Sequence, residues 1–389
     1  MLVACSSEPP APQTDASYQD ELQLALLDAE PGDIITIPAG THQLDRGLSL
    51  TADGVTIRGQ GMDRSVLSFR GQIAGAEGLL VTGDDVVLED FAVEDAKGDA
   101  IKINDTTGVT IRRVRTEWTG EPRTENGAYG LYPVQTENVL IDGAVAIGAS
   151  DAGIYVGQSR NVVVRNSRAE RNVAGIEIEN TQDADVYDNV ATDNTGGILV
   201  FNMPDLSQAG GRIRVYGNAV VANDRKNFGH PGTPVASIPA GSGVVINSHD
   251  DVEIFDNDIR DNRTANIIIS SVFSSNYADS SYSDSFDPYP ERIHIHANRL
   301  SGGGDKPDGM ELKAAKTMMF GMNGRFPHVL WDGYAPEGRD PQICVAEADV
   351  DVLNADLPGG SKAMRVERAP FACELPRLGE VSLAVDSGG

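Results

Sequence analysis

The sequence predicts an all-β protein, a right-handed parallel β-helix (solenoid) with an N-terminal helical cap and an irregular C-terminal cap. Three consecutive segments repeat one pattern, with Val139, Val162 and Ala184 at equivalent positions, spaced by 23 and 22 residues. Within each segment, short runs of alternating apolar residues are separated by Gly, Asn, Asp and Ser, with no helical period between them. A repeat of this length is typical of a solenoid, in which each coil buries its apolar face against the next coil.

The first predicted element is a helix that begins at Ser17 and places apolar residues such as Leu22 and Leu26 on one face. Pro31-Gly-Asp33 ends this helix, and residues 34–40 are predicted to form the first strand. An uncovered terminal coil would expose apolar side chains and unpaired strand edges. We therefore expect the helix to cover this end of the solenoid.

Coils are predicted from about residue 53 to about residue 310, roughly nine to eleven in number, and the period is lost near Ala314. The chain accordingly divides into a leader and linker (1–16), a capped solenoid (17–313) and a C-terminal cap or appendage (314–389). The coil spacing lengthens at four places, and such inserts usually project from the turns, where grooves form. These inserts are residues 119–127, 203–211, 225–241 and 272–289.

The most regular feature of the coils is a glycine followed by a triplet whose outer two residues are apolar, as in Gly175-Ile-Glu-Ile178. Since side chains alternate faces along a strand, the middle residue of each triplet points out of the solenoid. This outward column consists of Leu80, Lys102, Tyr132, Tyr155, Glu177, Leu199, Val245 and Ile268. Glu179 occupies the next outward position beside Glu177.

Asparagines recur at two turn positions of successive coils. One series is Asn189, Asn218, Asn257 and Asn298, and the other is Asn172, Asn194, Asn223 and Asn262. Asparagine tolerates left-handed turns, and stacked asparagine side chains hydrogen-bond from coil to coil. Both series are therefore predicted to be structural ladders rather than catalytic groups.

The charge balance excludes one class of partner. The chain has 31 Lys and Arg against 58 Asp and Glu, a net charge of −27. Nucleic acid is excluded as a partner, because its affinity for proteins comes mainly from cationic side chains that meet phosphate. A polyanionic sugar would need a local basic strip or bridging cations, and most of the acidic groups are expected to keep the protein soluble.

The segment Leu2-Val-Ala-Cys5 resembles the end of a bacterial lipoprotein signal, in which the cysteine is lipidated after cleavage. The resemblance implies export, lipidation of Cys5 and a periplasmic or outer-membrane location, because Ser6 is not the Asp that commonly retains such proteins at the inner membrane. The Pro-rich residues 6–16 suit a tether. No apolar stretch is long enough to span a bilayer, so membrane contact is expected through the lipid only. The alternative is an incidental cysteine.

Two wider resemblances concern most of the chain. The order of helix, Pro31-Gly-Asp33, strand and Pro-Ala-Gly-Thr41 resembles the opening of pectate-lyase-like β-helix proteins. The Cys5 start, the coils and a tail with Cys344 and Cys373 resemble exported bacterial parallel β-helix repeat lipoproteins, which implies a c-type cytochrome-like envelope partner but no particular reaction. In an exported protein, Cys344 and Cys373 fit a disulfide.

The segment Tyr129-Gly-Leu-Tyr-Pro-Val134 resembles the Tyr-Gly-x-Asp-Pro-His signature of mannuronan epimerases, which are right-handed β-helices acting on alginate. Tyr129, Gly130 and Pro133 match this signature. Tyr132 and Val134 stand where that family has the Asp and His of its reaction centre. The resemblance therefore implies a polysaccharide ligand but not that family's chemistry.

Side chains suited to lysis or epimerisation of a polysaccharide are predicted to gather around this segment. Removal of the proton next to a uronate carboxylate needs a base, a cation or hydrogen-bond donors, and an acid. Lys102 would stabilise the carboxylate, and Tyr129 or Tyr132, its pKa lowered by Lys102, would move the proton. The predicted substrate-binding residues are Tyr155, Glu177 and Glu179.

A second interpretation stays open, because outward Lys, Tyr and Glu also form ordinary cross-strand pairs on solenoids. In that case the protein is a non-enzymatic envelope scaffold or partner-binding protein. His294 and His296 alternate on one strand, but two ligands do not define a metal site, so no metal ligand is assigned. No cofactor is predicted with certainty, and calcium near Asp84-Asp85 or Asp250-Asp251 is the one candidate.

Overall fold

In the computed structural model, which describes residues 16–275, 282–283 and 285–383, the chain winds into a β-solenoid of about 12 turns. Three sheets of 11, 10 and 12 strands, here called A, B and C, run along its axis, and each of the first ten coils contributes one strand to each sheet in the order A, B, C. The strands pair in parallel, except that the last strand of sheet C is antiparallel to its neighbour. The predicted β-helix is thus confirmed.

The elements have the following bounds. Sheet A consists of Ile34–Thr36, Thr56–Arg58, Val87–Glu89, Thr107–Arg112, Glu137–Asp142, Arg160–Arg165, Gln182–Tyr187, Gly211–Tyr216, Val252–Phe255, Ile293–His296 and Ile343–Val345. Sheet B consists of Gly40–Gln43, Ser65–Ser68, Ala92–Glu94, Arg115–Glu117, Val145–Ile147, Arg168–Glu170, Val190–Thr192, Ala219–Val221, Asp258–Arg260 and Arg299–Ser301. Sheet C consists of Arg46–Leu50, Ala74–Val81, Ile101–Asn104, Tyr129–Val134, Ala152–Gly157, Ala174–Glu179, Gly196–Phe201, Ser242–Asn247, Ala265–Ser270, Val329–Trp331, Val352–Asn354 and Arg365–Glu367. The α-helices are Ala16–Leu27 and Met310–Phe320, and short 3-10 helices span Pro234–Ser237, Val272–Ser274 and Ala369–Phe371.

The core lies inside the coils, where the apolar residues of the repeated triplets meet. Ile154, Ile176 and Ile198 occupy one register position in successive strands of sheet C and are fully buried. At the N-terminal end, Leu22 and Leu26 of the first helix pack against the same core, so the predicted cap is present. Among the described residues, no helix is long and apolar enough to cross a membrane.

The asparagine ladders form as predicted. The Nδ2 of Asn189 donates to Asn218 Oδ1 at 3.0 Å, and the Nδ2 of Asn218 donates to Asn257 Oδ1 at 2.9 Å. In the second series, the Nδ2 of Asn172 donates to Asn194 Oδ1 at 3.1 Å. These bonds hold the turns of neighbouring coils in register.

Three strands beyond Ala314, where the sequence period is lost, continue the stack. Val329–Trp331 and Val352–Asn354 extend sheet C, and Ile343–Val345 extends sheet A. The sequence period is lost because the insert that contains the helix Met310–Phe320 separates these strands from the coils before them. A disulfide joins Cys344, in the strand Ile343–Val345, to Cys373 with a Cα–Cα distance of 4.9 Å, the predicted pairing.

The insert 225–241 covers part of the outer face of sheet C. Its Val235 and Ile238 are buried in one apolar cluster with Leu199 and Val245 of the outward column. The hydroxyl of Thr124 in the insert 119–127 donates to the Phe228 carbonyl at 2.8 Å, so these two inserts meet. The outward column is therefore largely shielded from solvent rather than exposed as an open shelf. Cys5 and part of the insert 272–289 lie outside the described residues.

Candidate functional site

The strand register brings the predicted site residues together on the outer face of sheet C. Lys102 pairs with Tyr132, Tyr155 pairs with Glu177, and Gly157 pairs with Glu179. Tyr129 begins the strand that carries Tyr132. All six predicted catalytic and substrate-binding residues therefore lie on four consecutive coils.

Three tyrosine rings pack against one another at the centre of this face. The ring centroids of Tyr129 and Tyr132 are 4.3 Å apart, and that of Tyr155 lies 4.7 Å from the first and 5.0 Å from the second. The Tyr155 hydroxyl donates to Glu179 Oε1 at 2.7 Å. A Cβ at Gly157 would overlap the Tyr155 ring, so the glycine provides the room in which this tyrosine lies along its own strand.

Two further carboxyl groups belong to the site, and the sequence analysis missed both. Asp99 accepts a hydrogen bond from the backbone N–H of Tyr129 at 3.3 Å. Asp151 is buried and hydrogen-bonds with the Tyr129 side chain. Both residues precede strands of sheet C and lie outside the repeated triplets. Continuing the pairing of Leu131 with Ile101 two residues back would have placed Asp99 beside Tyr129.

We call this group the tyrosine–carboxyl cluster. It consists of Asp99, Tyr129, Tyr132, Asp151, Tyr155, Glu177 and Glu179.

Burial raises the pKa values of the carboxyl groups in the cluster. Desolvation raises the pKa of Asp99 to about 6. Desolvation, reinforced by the charges of Glu179 and Asp99, raises the pKa of Asp151 to about 8. The pKa of Glu179 rises to about 7, again through burial, although the hydrogen bond from Tyr155 opposes the shift. Acids and carboxylates thus coexist here near neutral pH.

The pKa values of the two candidate tyrosine bases rise, whereas the sequence analysis expected Lys102 to lower them. Burial raises the pKa of Tyr132 to about 12, and the nearby Asp99 and Glu179 charges raise it further. Burial also raises the pKa of Tyr129 well above its ordinary value. Lys102 Nζ lies 5.2 Å from the Tyr132 ring centroid and 4.0 Å from Glu77 Oε1. Desolvation and the carboxylates outweigh this cation, so both phenols stay protonated and can serve only as donors or as rings.

Glu177 is the deepest member of the cluster. It is 1% exposed, and its Oε2 is buried with no hydrogen-bond partner among the described residues. Burial, then the charges of Asp151 and Glu179, raise its pKa well above the usual range. Because Glu177 is buried, it is not placed to contact a sugar directly, so the substrate role predicted for it has no support from its position. Tyr155 is similarly buried.

The other predicted candidates lie elsewhere on the solenoid. Asp250 and Asp251 both accept hydrogen bonds from Arg292, and Asp84 accepts the backbone N–H of Thr107. These contacts give the acidic turns structural partners, and calcium there stays a prediction. His294 and His296 lie on the outer face of sheet A, away from the tyrosine–carboxyl cluster.

Three solved structures that resemble this chain come from enzymes that act on polysaccharides. The A-modules of the Azotobacter vinelandii mannuronan C-5 epimerases AlgE4 and AlgE6 are 19% and 16% identical, with TM-scores of 0.52 and 0.50. The first alignment covers 77% of this chain and 88% of that one, and the second 84% and 88%. The catalytic unit of a GH87 α-1,3-glucanase from Streptomyces thermodiastaticus is 15% identical with a TM-score of 0.48, over 85% of this chain and 49% of that one.

At these identities the likeness concerns the fold. Among curated protein sequences, none matches this chain. Residues 49–220 match the family described as right handed beta helix region. This match covers less than half of the chain and agrees with the β-solenoid that the three stacked sheets form.

Proposed function

We propose that this protein binds a polysaccharide on the outer face of sheet C and turns it over by acid–base chemistry, by cleaving or epimerising it. The observation that carries the proposal is the packing of three tyrosine rings beside carboxyl groups whose pKa values lie near neutrality. Groups that titrate near the working pH are the most effective proton-transfer catalysts, and perturbed pKa values cluster at functional sites. The mannuronan epimerase modules, which share the fold, add support for a polysaccharide substrate.

The half-buried members of the cluster are the ones that can reach a substrate. In our proposal, the rings of Tyr129 and Tyr132 contact a sugar, and Lys102 stabilises a substrate carboxylate or hydroxyl. Asp99, whose pKa is the lowest of the shifted carboxyl groups given above, acts as the base. Glu179, held by the Tyr155 hydroxyl, acts as the acid.

The proposal predicts a loss of turnover on Asp99→Asn and on Glu179→Gln. Removing a proton-transfer group costs about 100- to 10,000-fold in rate. A panel of acidic and neutral polysaccharides should be assayed for new reducing ends, for the ultraviolet absorbance of an unsaturated product, and for deuterium uptake from heavy water, which reports epimerisation. The wild-type pH profile should be a narrow bell between about pH 6 and about pH 7, where Asp99 is ionised and Glu179 still holds its proton.

Tyr187→Phe is the matched control, because Tyr187 stacks on Tyr216 on sheet A, outside the cluster. It should leave turnover unchanged. Turnover that survives both carboxyl substitutions would contradict the assigned roles. No turnover and no glycan binding by the wild type on any polysaccharide would favour the second candidate, a non-enzymatic envelope scaffold. The burial of Glu177 and Tyr155 is the observation that favours this alternative.

Export and lipidation at Cys5 are a separate proposal, supported by the Leu-Val-Ala-Cys5 motif. The disulfide between Cys344 and Cys373 suits an oxidising compartment. A c-type cytochrome-like envelope partner is proposed from the resemblance to exported β-helix repeat lipoproteins. When the protein is expressed from its own gene, Cys5→Ala should move it from the membrane fraction to the soluble fraction. Equal membrane partition of variant and wild type would contradict the anchor.

A further inference from the structure

We propose that Glu253, His294 and His296 bind one divalent transition-metal ion, with zinc as the best match, on the outer face of sheet A. Glu253 pairs with His294 across neighbouring coils, and His296 is two residues further along the same strand. One ligand atom from each residue lies within 4.8 Å of the others. All three side chains are buried, at 2%, 4% and 5% exposure.

The histidine nitrogens lack the partners that buried imidazoles normally have. Both ring nitrogens of His294 and the Nδ1 of His296 are buried without a hydrogen-bond partner among the described residues. Buried polar side-chain atoms are in large majority hydrogen-bonded, so three such nitrogens on two neighbouring rings need an explanation. A metal ion that accepts the lone pair of one His294 nitrogen would account for that atom.

The fourth nitrogen makes two contacts that no single protonation state satisfies. His296 Nε2 lies 2.9 Å from Glu253 Oε1 and 2.7 Å from Arg377 Nη1, and Nη1 lies 3.1 Å from Oε1. If Nε2 carries a proton, it faces an N–H of the guanidinium, which can only donate. If Nε2 is unprotonated, it faces a carboxylate oxygen that is also an acceptor. A metal ion between Nε2 and Oε1 would remove the conflict, because both atoms would then be ligands.

Neighbouring residues hold the proposed ligands in place, and the cation now beside them, Arg377, can be displaced. Phe255 stacks on His296 with a centroid distance of 5.2 Å, and the backbone N–H of Leu378 donates to Glu253 Oε2 at 3.0 Å, which leaves Oε1 for an ion. Arg377 comes from the C-terminal segment and is 63% exposed. We infer that its guanidinium occupies the place of the metal and leaves when the ion binds.

The donor set decides the class of ion. Two imidazoles and one carboxylate suit zinc and its first-row neighbours, with a further position open to water. Calcium and magnesium prefer oxygen ligands and are not expected here. This site is separate from the tyrosine–carboxyl cluster, so its occupancy is independent of the proposed sugar chemistry.

The test is a titration of the untagged, chelator-treated full chain with Zn²⁺ by calorimetry, and with Co²⁺ by visible absorption. We expect one ion per chain. His294→Gln should weaken Zn²⁺ binding by at least about 100-fold, since even outer-shell partners of metal ligands are worth about 10- to 100-fold in affinity. Arg377→Ala should strengthen binding, because it removes the competing cation.

His230→Gln is the matched control, since His230 is an exposed histidine in the insert 225–241; it should bind Zn²⁺ as the wild type does. Wild-type affinity no greater than that of the double variant His294→Gln/His296→Gln would overturn the proposal. If the substitutions prevent folding, the wild type alone decides. Visible Co²⁺ bands that saturate at one equivalent support the site, and their absence overturns it.

Discussion

At the scale of single residues, burial decides the chemistry of the tyrosine–carboxyl cluster. Asp151 and Glu179 are ordinary acidic residues in the sequence, but desolvation raises their pKa values to about 8 and about 7. The charge of each ionised group also raises the pKa of its neighbours, because the dielectric around them is low. The chain keeps this arrangement although it is costly at neutral pH, which is common at functional sites.

The residue-scale prediction is a change in the pH dependence of stability on Glu179→Gln. The pKa of Glu179 rises from 4.5 to about 7 on folding, so its contribution is fully present below about pH 4.5 and is lost as pH rises through about 7. The variant cannot ionise at this position and escapes that loss, on the order of a few kcal/mol at about 1.4 kcal/mol per pKa unit. Its melting temperature relative to wild type should be higher at pH 8 than at pH 5.

The control for this measurement is Glu137→Gln, at an exposed glutamate on sheet A. It should follow the wild type at both pH values. A Glu179→Gln variant that also followed the wild type would show that Glu179 titrates normally.

At the scale of elements, the asparagine ladders join the turns of successive coils. The side chain of Asn218 makes four such bonds. Its Nδ2 donates to Val186 O at 2.9 Å and to Asn257 Oδ1 at 2.9 Å, and its Oδ1 accepts from the backbone N–H and the Nδ2 of Asn189 at 3.0 Å each. These side-chain bonds add to the backbone hydrogen bonds between the turns and satisfy buried polar groups at the corners of the coils.

The element-scale prediction is that Asn218→Ala destabilises the solenoid by about 3 kcal/mol or more. The substitution leaves buried donors and acceptors on both neighbouring coils without partners, at about 1–3 kcal/mol each. Denaturant unfolding measures the change. Thr107→Ala, at an exposed position of sheet A, is the control and should change stability by less than about 0.5 kcal/mol. Equal stability of the two variants would show that the ladder contributes nothing.

At the scale of the whole molecule, segments distant in sequence cover the open surfaces of the stack. The first helix covers the N-terminal end, and the insert 225–241 covers part of the outer face of sheet C. The C-terminal segment crosses sheet A, where the backbone N–H of Val381 donates to Asp185 Oδ2 at 3.2 Å. The disulfide between Cys344 and Cys373 fixes the start of that segment to the last strand of sheet A.

The whole-molecule prediction concerns this disulfide, which closes a loop of 29 residues. A loop of that length stabilises by about 3 to 4 kcal/mol in the chain-entropy view. Reduction should lower the melting temperature and expose the amides of residues 345–373 to hydrogen exchange before those of the central coils. The double variant Cys344→Ala/Cys373→Ala should match the reduced wild type and ignore the reductant. A reductant effect on the double variant would assign the destabilisation to something else.

The sequence by itself determined the parts of this protein that are periodic. The coils, the ladders and the pairing of Lys102 with Tyr132 follow from residue spacing, because each strand of a solenoid meets the strand one coil away. The N-terminal cap was also predictable from the apolar face of the first helix, and the disulfide from the number and position of the cysteines.

The tertiary structure alone decided burial and the meeting of distant segments. The insert 225–241 shields part of the outward column. Burial on the same face raises the pKa of Tyr132, against the prediction, and raises that of Glu179 to about 7. Asp99 and Asp151 join the site from turns, where the two-residue period of the strands does not apply. Arg377 reaches Glu253 from more than 100 residues away. Residue spacing in the repeat determines which coils are neighbours. The pKa values and the metal-ligand set depend instead on which distant segments exclude water from the outer face of a sheet.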